Sequence, residues 1–340
     1  MTQQITDIHP RWAVPGARVQ IGGLTLPLPA DGPPHVLVGA DDAHVVAASR
    51  RSIRFTVPPG SAGGTLSVHI DELTGQSAFL EVARPLITGV HQVDNPLFDR
   101  EGRLYATESG SRGTTVSEAL FRVTPDGRRE PLAVDVGNPT SLAQGPDGAI
   151  YVSHRFDGIV YRVTSDDRAE VFASELGVAT GLAFGPDGSL YVGDRSGSIL
   201  RVPPGGTPET FASLPASVAA FHLAFGPEGQ LFVSAPTLAS RDQIYRIGPD
   251  RLVDPVCRGF GRPQGLAFDS RGHLYVAEAL AGSAGLYRVD VSQADPTPEL
   301  VVGAASLVGL AFDPSGGVVL ASNDTLWRLD VPLEPWRADG

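Results

Sequence analysis

One hairpin recurs six times along this chain, and that recurrence limits what it can fold into more than any other feature. The turn glycines Gly102, Gly148, Gly188, Gly229, Gly272 and Gly316 follow "DRE", "GPD", "GPD", "GPE", "DSR" and "DPS", 40 to 46 residues apart. An apolar run precedes each turn, as in "SLAQ", "GLAF" and "HLAF". A second run follows, as in "AIYVS", "SLYVG" and "QLFVS". A third run carries an arginine in every copy: "LFRV", "VYRV", "ILRV", "IYRI", "LYRV" and "LWRL". Several copies add a fourth, such as "EVFAS" and "ETFAS".

The turn has a physical reason. Proline presets φ at the first central position, aspartate bonds its own backbone, and glycine accepts the left-handed position. The turn acids therefore read as structural. Four strands per copy, six copies, and a period near forty together predict an all-β chain with a six-bladed β-propeller. The sixth copy lacks a convincing fourth strand, whereas "PLITGV" (residues 85–90) precedes the first copy with no partner of its own. That stretch is expected to pair as the outer strand of the last blade, closing the ring and removing an open edge. The 40 Gly and 29 Pro fit many short strands joined by turns.

Residues 1–84 follow another pattern. "ARVQI", "SIRFTV" and "TLSVHI" alternate apolar and polar residues with period two, and "LPADGPP" and "PPGSAGG" separate such runs. This predicts a small antiparallel immunoglobulin-like sandwich at 1–84, followed by the propeller at 85–340.

Composition excludes several functions. The net charge is −12, and no dense run of arginine interrupts it, so neither nucleic acid nor a membrane surface is an expected partner. All 26 basic residues are arginine, so lysine Schiff-base chemistry is impossible. The single cysteine, Cys257, has no intramolecular partner. The N-terminus lacks the pattern of an export signal, and no window is apolar enough to span a membrane, so the expected location is cytoplasmic. "GFGRPQG" imitates a dinucleotide-binding glycine pattern, but its last spacing is wrong and no helix follows.

"GLAFGPDGSLYVGD" and "GLAFDSRGHLYVAE" resemble the repeats of the gluconolactonase/regucalcin and NHL-repeat propellers. "ITDIHPRWAVPGARVQIGG", "RFTVPPG" and "SAFLEVARP" resemble an IPT/TIG domain. The first resemblance implies a lactonase with one divalent cation (Ca, Mn or Zn) at the mouth of the central channel, held by a Glu, two Asn and an Asp. In "DNPLFD", Asp94 stands on the metal-binding Glu. Thr180 and Phe221 stand on the two Asn and Gln264 on the Asp, so most of the implied ligand set is replaced. A register shift of one would bring in Asn95 and His222 instead. Asn138 is a further oxygen donor near the same end.

The ends of the second strands form another ring: Glu108, His154, Asp194, Ala235, Glu278 and Ser322. With Asp94 and His222, its acids and histidine could line one polar funnel. There, His154 and His222 are the candidates for general acid–base work, and Glu108, Asn138, Asp194, Gln264 and Glu278 for ligand contacts. The competing expectation is that these acids pair with the third-strand arginines. Longer loops after Glu108 and after Ser234 break the symmetry of the ring. Two functions follow: a propeller that binds a small molecule or a protein at its funnel or loops, without a firmly implied cofactor, or a metal-dependent lactone/ester hydrolase with altered ligands.

Overall fold

The computed structural model describes residues 4–335 except 74, 112, 113, 115, 281 and 334. Among these residues all regular structure is β, with no helix. No helix is therefore long and apolar enough to cross a membrane.

The repeats fold as a propeller of antiparallel meanders. The second is typical: Pro139–Gln144, Ile150–His154, Ile159–Val163 and Ala169–Ala173 pair in sequence order. Five four-stranded sheets stand apart, and four of them pair in this order. Strands Pro263–Phe268, Leu274–Glu278, Gly285–Val289 and Glu299–Gly303 repeat the order, but their sheet continues into the N-terminal strands. The last four-stranded sheet takes its outer strand, Arg84–Thr88, from before the first repeat. It pairs antiparallel with Thr325–Leu329, with Ile87 opposite Leu326. The stretch proposed from sequence to close the last blade is in that place.

The recurring "LAF" and "LYV" words are explained by packing between sheets. The second-strand aromatic of one sheet meets the inner-strand phenylalanine of the next, edge to face. Tyr151 meets Phe184 at 4.8 Å, Tyr191 meets Phe225 at 5.0 Å, and Tyr275 meets Phe312 at 5.1 Å. Each such pair adds about 0.5–1.5 kcal/mol beyond its buried area. Hydroxyls stitch the same boundaries: Ser153 Oγ donates to the Thr180 carbonyl (2.7 Å), and the Leu182 N–H donates to Ser141 Oγ (3.1 Å).

The turn acids act as expected. Asp187 accepts the Ser189 N–H at 3.0 Å, and Gly188 takes φ +74°. The third-strand arginines pair at this end of the sheets, not with the acids at the far end of the second strand. Arg162 reaches Asp147 and Arg201 reaches Asp187, both at 2.7 Å, and Arg328 pairs with Asp313. Register is the reason. Arg162 lies opposite Tyr151, near the turn, whereas His154 lies opposite Ile159. Burial pushes the Asp187 carboxyl up, but the Arg201 hydrogen bond and the Ser189 N–H outweigh it and hold the group below the usual carboxylate range.

The N-terminal strands surround their own core, in which Ile21, Ile53, Phe55 and Leu80 are fully buried. The strand runs read from sequence are present as Arg18–Leu24, Ser52–Thr56 and Gly64–Ile70. The junction with the repeats is more than a linker. Trp12–Ala13 pairs in parallel with Ala78–Val82 on one side and with Glu299–Gly303 on the other. Val14 and Ala83 enter a core shared with Tyr275, Leu286 and Val302.

Candidate functional site

The inner strands carry one side chain after another down a central channel. At their starting ends is a mouth cavity of about 400 Å³, bordered by Gln92, Thr180, Ala219 and Gln264. Toward their far ends a second cavity of about 240 Å³ is bordered by Asp94, Asn95, Phe98 and Phe268. Between them runs a bar of three side chains. His222 Nδ1 donates to Asp94 Oδ1 (2.6 Å), and His222 Nε2 lies 3.0 Å from Gln264 Oε1. His222 is wholly buried, and Asp94 and Gln264 nearly so. The bar joins the first, fourth and fifth repeats, with Asp94 and His222 128 residues apart in sequence.

Asn95 reinforces this crossing. Its Nδ2 donates to the Leu266 carbonyl (2.8 Å), and its Oδ1 accepts the Leu310 N–H (2.9 Å). Gly309 lets it approach, since a Cβ there would lie 2.7 Å from the Asn95 Cα.

The residues do not fit the divalent cation that the family resemblance implies. Asp94 Oδ1 is shared between His222 and the Asn95 N–H (2.7 Å). Thr180 Oγ1 donates to the Gly193 carbonyl and accepts the Phe221 N–H, both at 3.0 Å. Phe221 is buried and offers no donor atom. A hard cation needs about six oxygen ligands, and this set leaves one carboxylate and one amide. Among the described residues, no three His, Cys, Asp or Glu side chains are grouped to hold a metal.

The strand-end ring does not converge on the channel. Glu108 accepts from Arg129 Nη1 (2.5 Å), an arginine of the fourth strand stacked 3.9 Å over Phe121. His154 is buried against Gly137, and its Nδ1 accepts the Asp157 N–H (3.2 Å). Asp194 Oδ1 accepts the Val178 N–H (2.8 Å), and its Oδ2 accepts from the Ser196 hydroxyl. Glu278 accepts three N–H groups, from Gly261, Arg262 and Leu280, at 2.7–2.8 Å. Asn138 ties down the first insertion, accepting the Gly110 N–H (2.7 Å) and donating to the Thr114 carbonyl (2.8 Å). Part of that insertion lies outside the described residues. Of the candidates read from sequence, only Asp94, His222 and Gln264 are brought together. Glu108 pairs with Arg129, and the others fix loop backbone.

The residues missed in the sequence are arginines. Arg155 and Arg195, one position beyond the strand-end ring, border the mouth, as do Ala279 and Asn323 at the same position of later repeats. Arg262 joins them from the loop held by Glu278. A strand alternates its faces, so displacing the ring by one residue would have found the lining. Burial, then the charge of Arg195, draws the Arg155 guanidinium below its ordinary value.

One protein family matches the chain over a short segment, residues 181–202, and is described as strictosidine synthase-like, N-terminal. No curated protein matches the sequence. Among solved structures, the chain is similar to a putative gluconolactonase at 17% identity and TM-score 0.61, covering 75% of this chain and 94% of that one. A gluconolactonase from Xanthomonas campestris gives 18% identity and TM-score 0.60, covering 74% and 89%. An auxiliary nutrient binding protein from Bacteroides ovatus gives 14% identity and TM-score 0.57, covering 99% of both chains. In fold, the repeat region is a propeller similar to those of gluconolactonases and strictosidine synthase-like proteins.

Proposed function

We propose that this chain is a small-molecule-binding propeller of six blades, with residues 1–84 forming an immunoglobulin-like unit packed on it. The sheet ending in Glu299–Gly303 then counts as the fifth blade, and Arg84–Thr88 completes the sixth. One observation carries the functional reading. The mouth is an open cavity of small-ligand size, while the acid and histidine beneath it are locked to each other. A general base needs a free nitrogen within reach of substrate, and both ring nitrogens of His222 are engaged. The likeness over full length to a protein described as nutrient binding supports the same reading.

The second reading is a lactone or ester hydrolase, favoured by the buried Asp94–His222 contact and the gluconolactonase neighbours. The two separate on a panel of five- and six-membered lactones, followed by proton release with Ca, Mn or Zn added. The binding reading expects no turnover above the uncatalysed rate, and less than one metal per chain by elemental analysis. Metal-dependent ring opening that disappears in Asp94→Asn would establish the hydrolase instead.

A further inference from the structure

The charges around the mouth are arranged in a way that a neutral ligand does not explain. The chain carries a net charge of −12, yet no Asp or Glu is among the described residues bordering this cavity. Three arginines are: Arg155, Arg195 and Arg262. None of them forms an ion pair among the described residues, although most arginines elsewhere in the repeats do. The nearby acids are already committed, Asp194 and Glu278 to backbone N–H groups.

The guanidinium groups keep donors to spare. Arg155 Nη2 donates to the Gly110 carbonyl (3.0 Å) and Arg195 Nη2 to the Val218 carbonyl (2.9 Å). These bonds orient the two groups without neutralising them. Their Nε atoms are buried and have no partner among the described residues. Gln92, also at the mouth, is almost fully buried. Its Oε1 accepts the Thr107 N–H (3.1 Å), and its Nε2 has no partner among the described residues. Arg262 is exposed, and its side chain makes no hydrogen bond among the described residues. Like charges held together are costly, and an oxyanion placed between them relieves that cost.

We propose that the mouth binds a small organic oxyanion, its carboxylate or phosphate group received by Arg155, Arg195 and Arg262. The inference rests on the binding reading above and adds the charge class of the ligand. Arginine suits this role because its planar fork matches both groups in bidentate fashion. The cavity walls concentrate the positive field at the mouth, while the acidic exterior repels long polyanions. A small ligand is therefore selected over a nucleic acid.

The test is calorimetric titration of the whole chain with citrate and with inorganic phosphate at low ionic strength. One-to-one binding of at least one anion is expected, and the comparison shows whether carboxylate or phosphate is the better group. Arg195→Gln and Arg262→Gln should each weaken it about tenfold. The Arg262 side chain makes no hydrogen bond among the described residues, so its substitution reads charge even if the Arg195 variant folds poorly. Absence of binding by both anions, or equal affinity in the variants, overturns the proposal. If a neutral compound instead binds, is blocked by Ala219→Trp and ignores Arg262→Gln, the oxyanion inference falls and the binding reading stands. If nothing that binds the chain is affected by Ala219→Trp, both fall.

Discussion

His222→Ala is expected to lower the unfolding free energy by about 3–5 kcal/mol, because it leaves the Asp94 carboxylate buried without its partner. The position is severe for a second reason. His222 also engages Gln264, so its removal leaves a side-chain oxygen facing a void at the boundary between two cavities. Urea unfolding measures the loss, and a cycle with Asp94→Asn separates the pair term from the cavity term. The coupling should exceed about 1 kcal/mol. A loss below about 1 kcal/mol in His222→Ala, or additive single variants, would show that the bar does not hold the channel together.

The second large effect is expected at the chain's non-local closure. Ile87→Pro removes a backbone N–H from the strand that completes the last sheet and disturbs its packing beside Val319 and Leu326. A loss of about 3 kcal/mol or more is expected. The loss should be accompanied by early hydrogen exchange at Leu326 and its neighbours, since the edge of Thr325–Leu329 then opens. Glu130→Pro is the control, because it lies in the outer strand of the first sheet, supplied by its own repeat. If both substitutions cost the same and melt the same sheets, Arg84–Thr88 is an ordinary outer strand with no closing role.

The fold was largely legible because each repeat states the same local rule. The Pro-Asp-Gly turns, the alternating runs and the orphan "PLITGV" stretch each point to a particular pairing, and those pairings are present. Which acids the third-strand arginines pair with is not legible in the repeats. The partner depends on register within the hairpin, and the residues opposite Arg162 and Arg201 lie at the turn end. The continuous sheet through Trp12–Ala13 was also hidden, since two residues show no period.

The site was legible only where one residue type implied its own constraint. Asp94 and Gln264 were found through family position, and His222 because it stands one residue beyond a family position. That the three form one hydrogen-bonded bar is a matter of closure in space, which joins residues 128 positions apart. The repeat pattern points to the strand ends at His154 and Asp194 and so passes over Arg155 and Arg195. The His154 and Asp194 side chains hold backbone, and the next residue faces the cavity.

Ligand entry at the mouth is the property on which the binding function depends. Ala219 borders the mouth without contributing a polar side-chain group, so Ala219→Trp puts bulk into the cavity without removing an arginine or a member of the bar. The direct measurement is ligand-induced thermal stabilisation across a small-molecule panel, in the natural chain and in Ala219→Trp. Compounds which raise the melting temperature of the natural chain are expected to fail to do so in the variant, whose own melting temperature changes by no more than about 3 °C. Stabilisation that persists undiminished in Ala219→Trp would place the binding site elsewhere and contradict entry at the mouth.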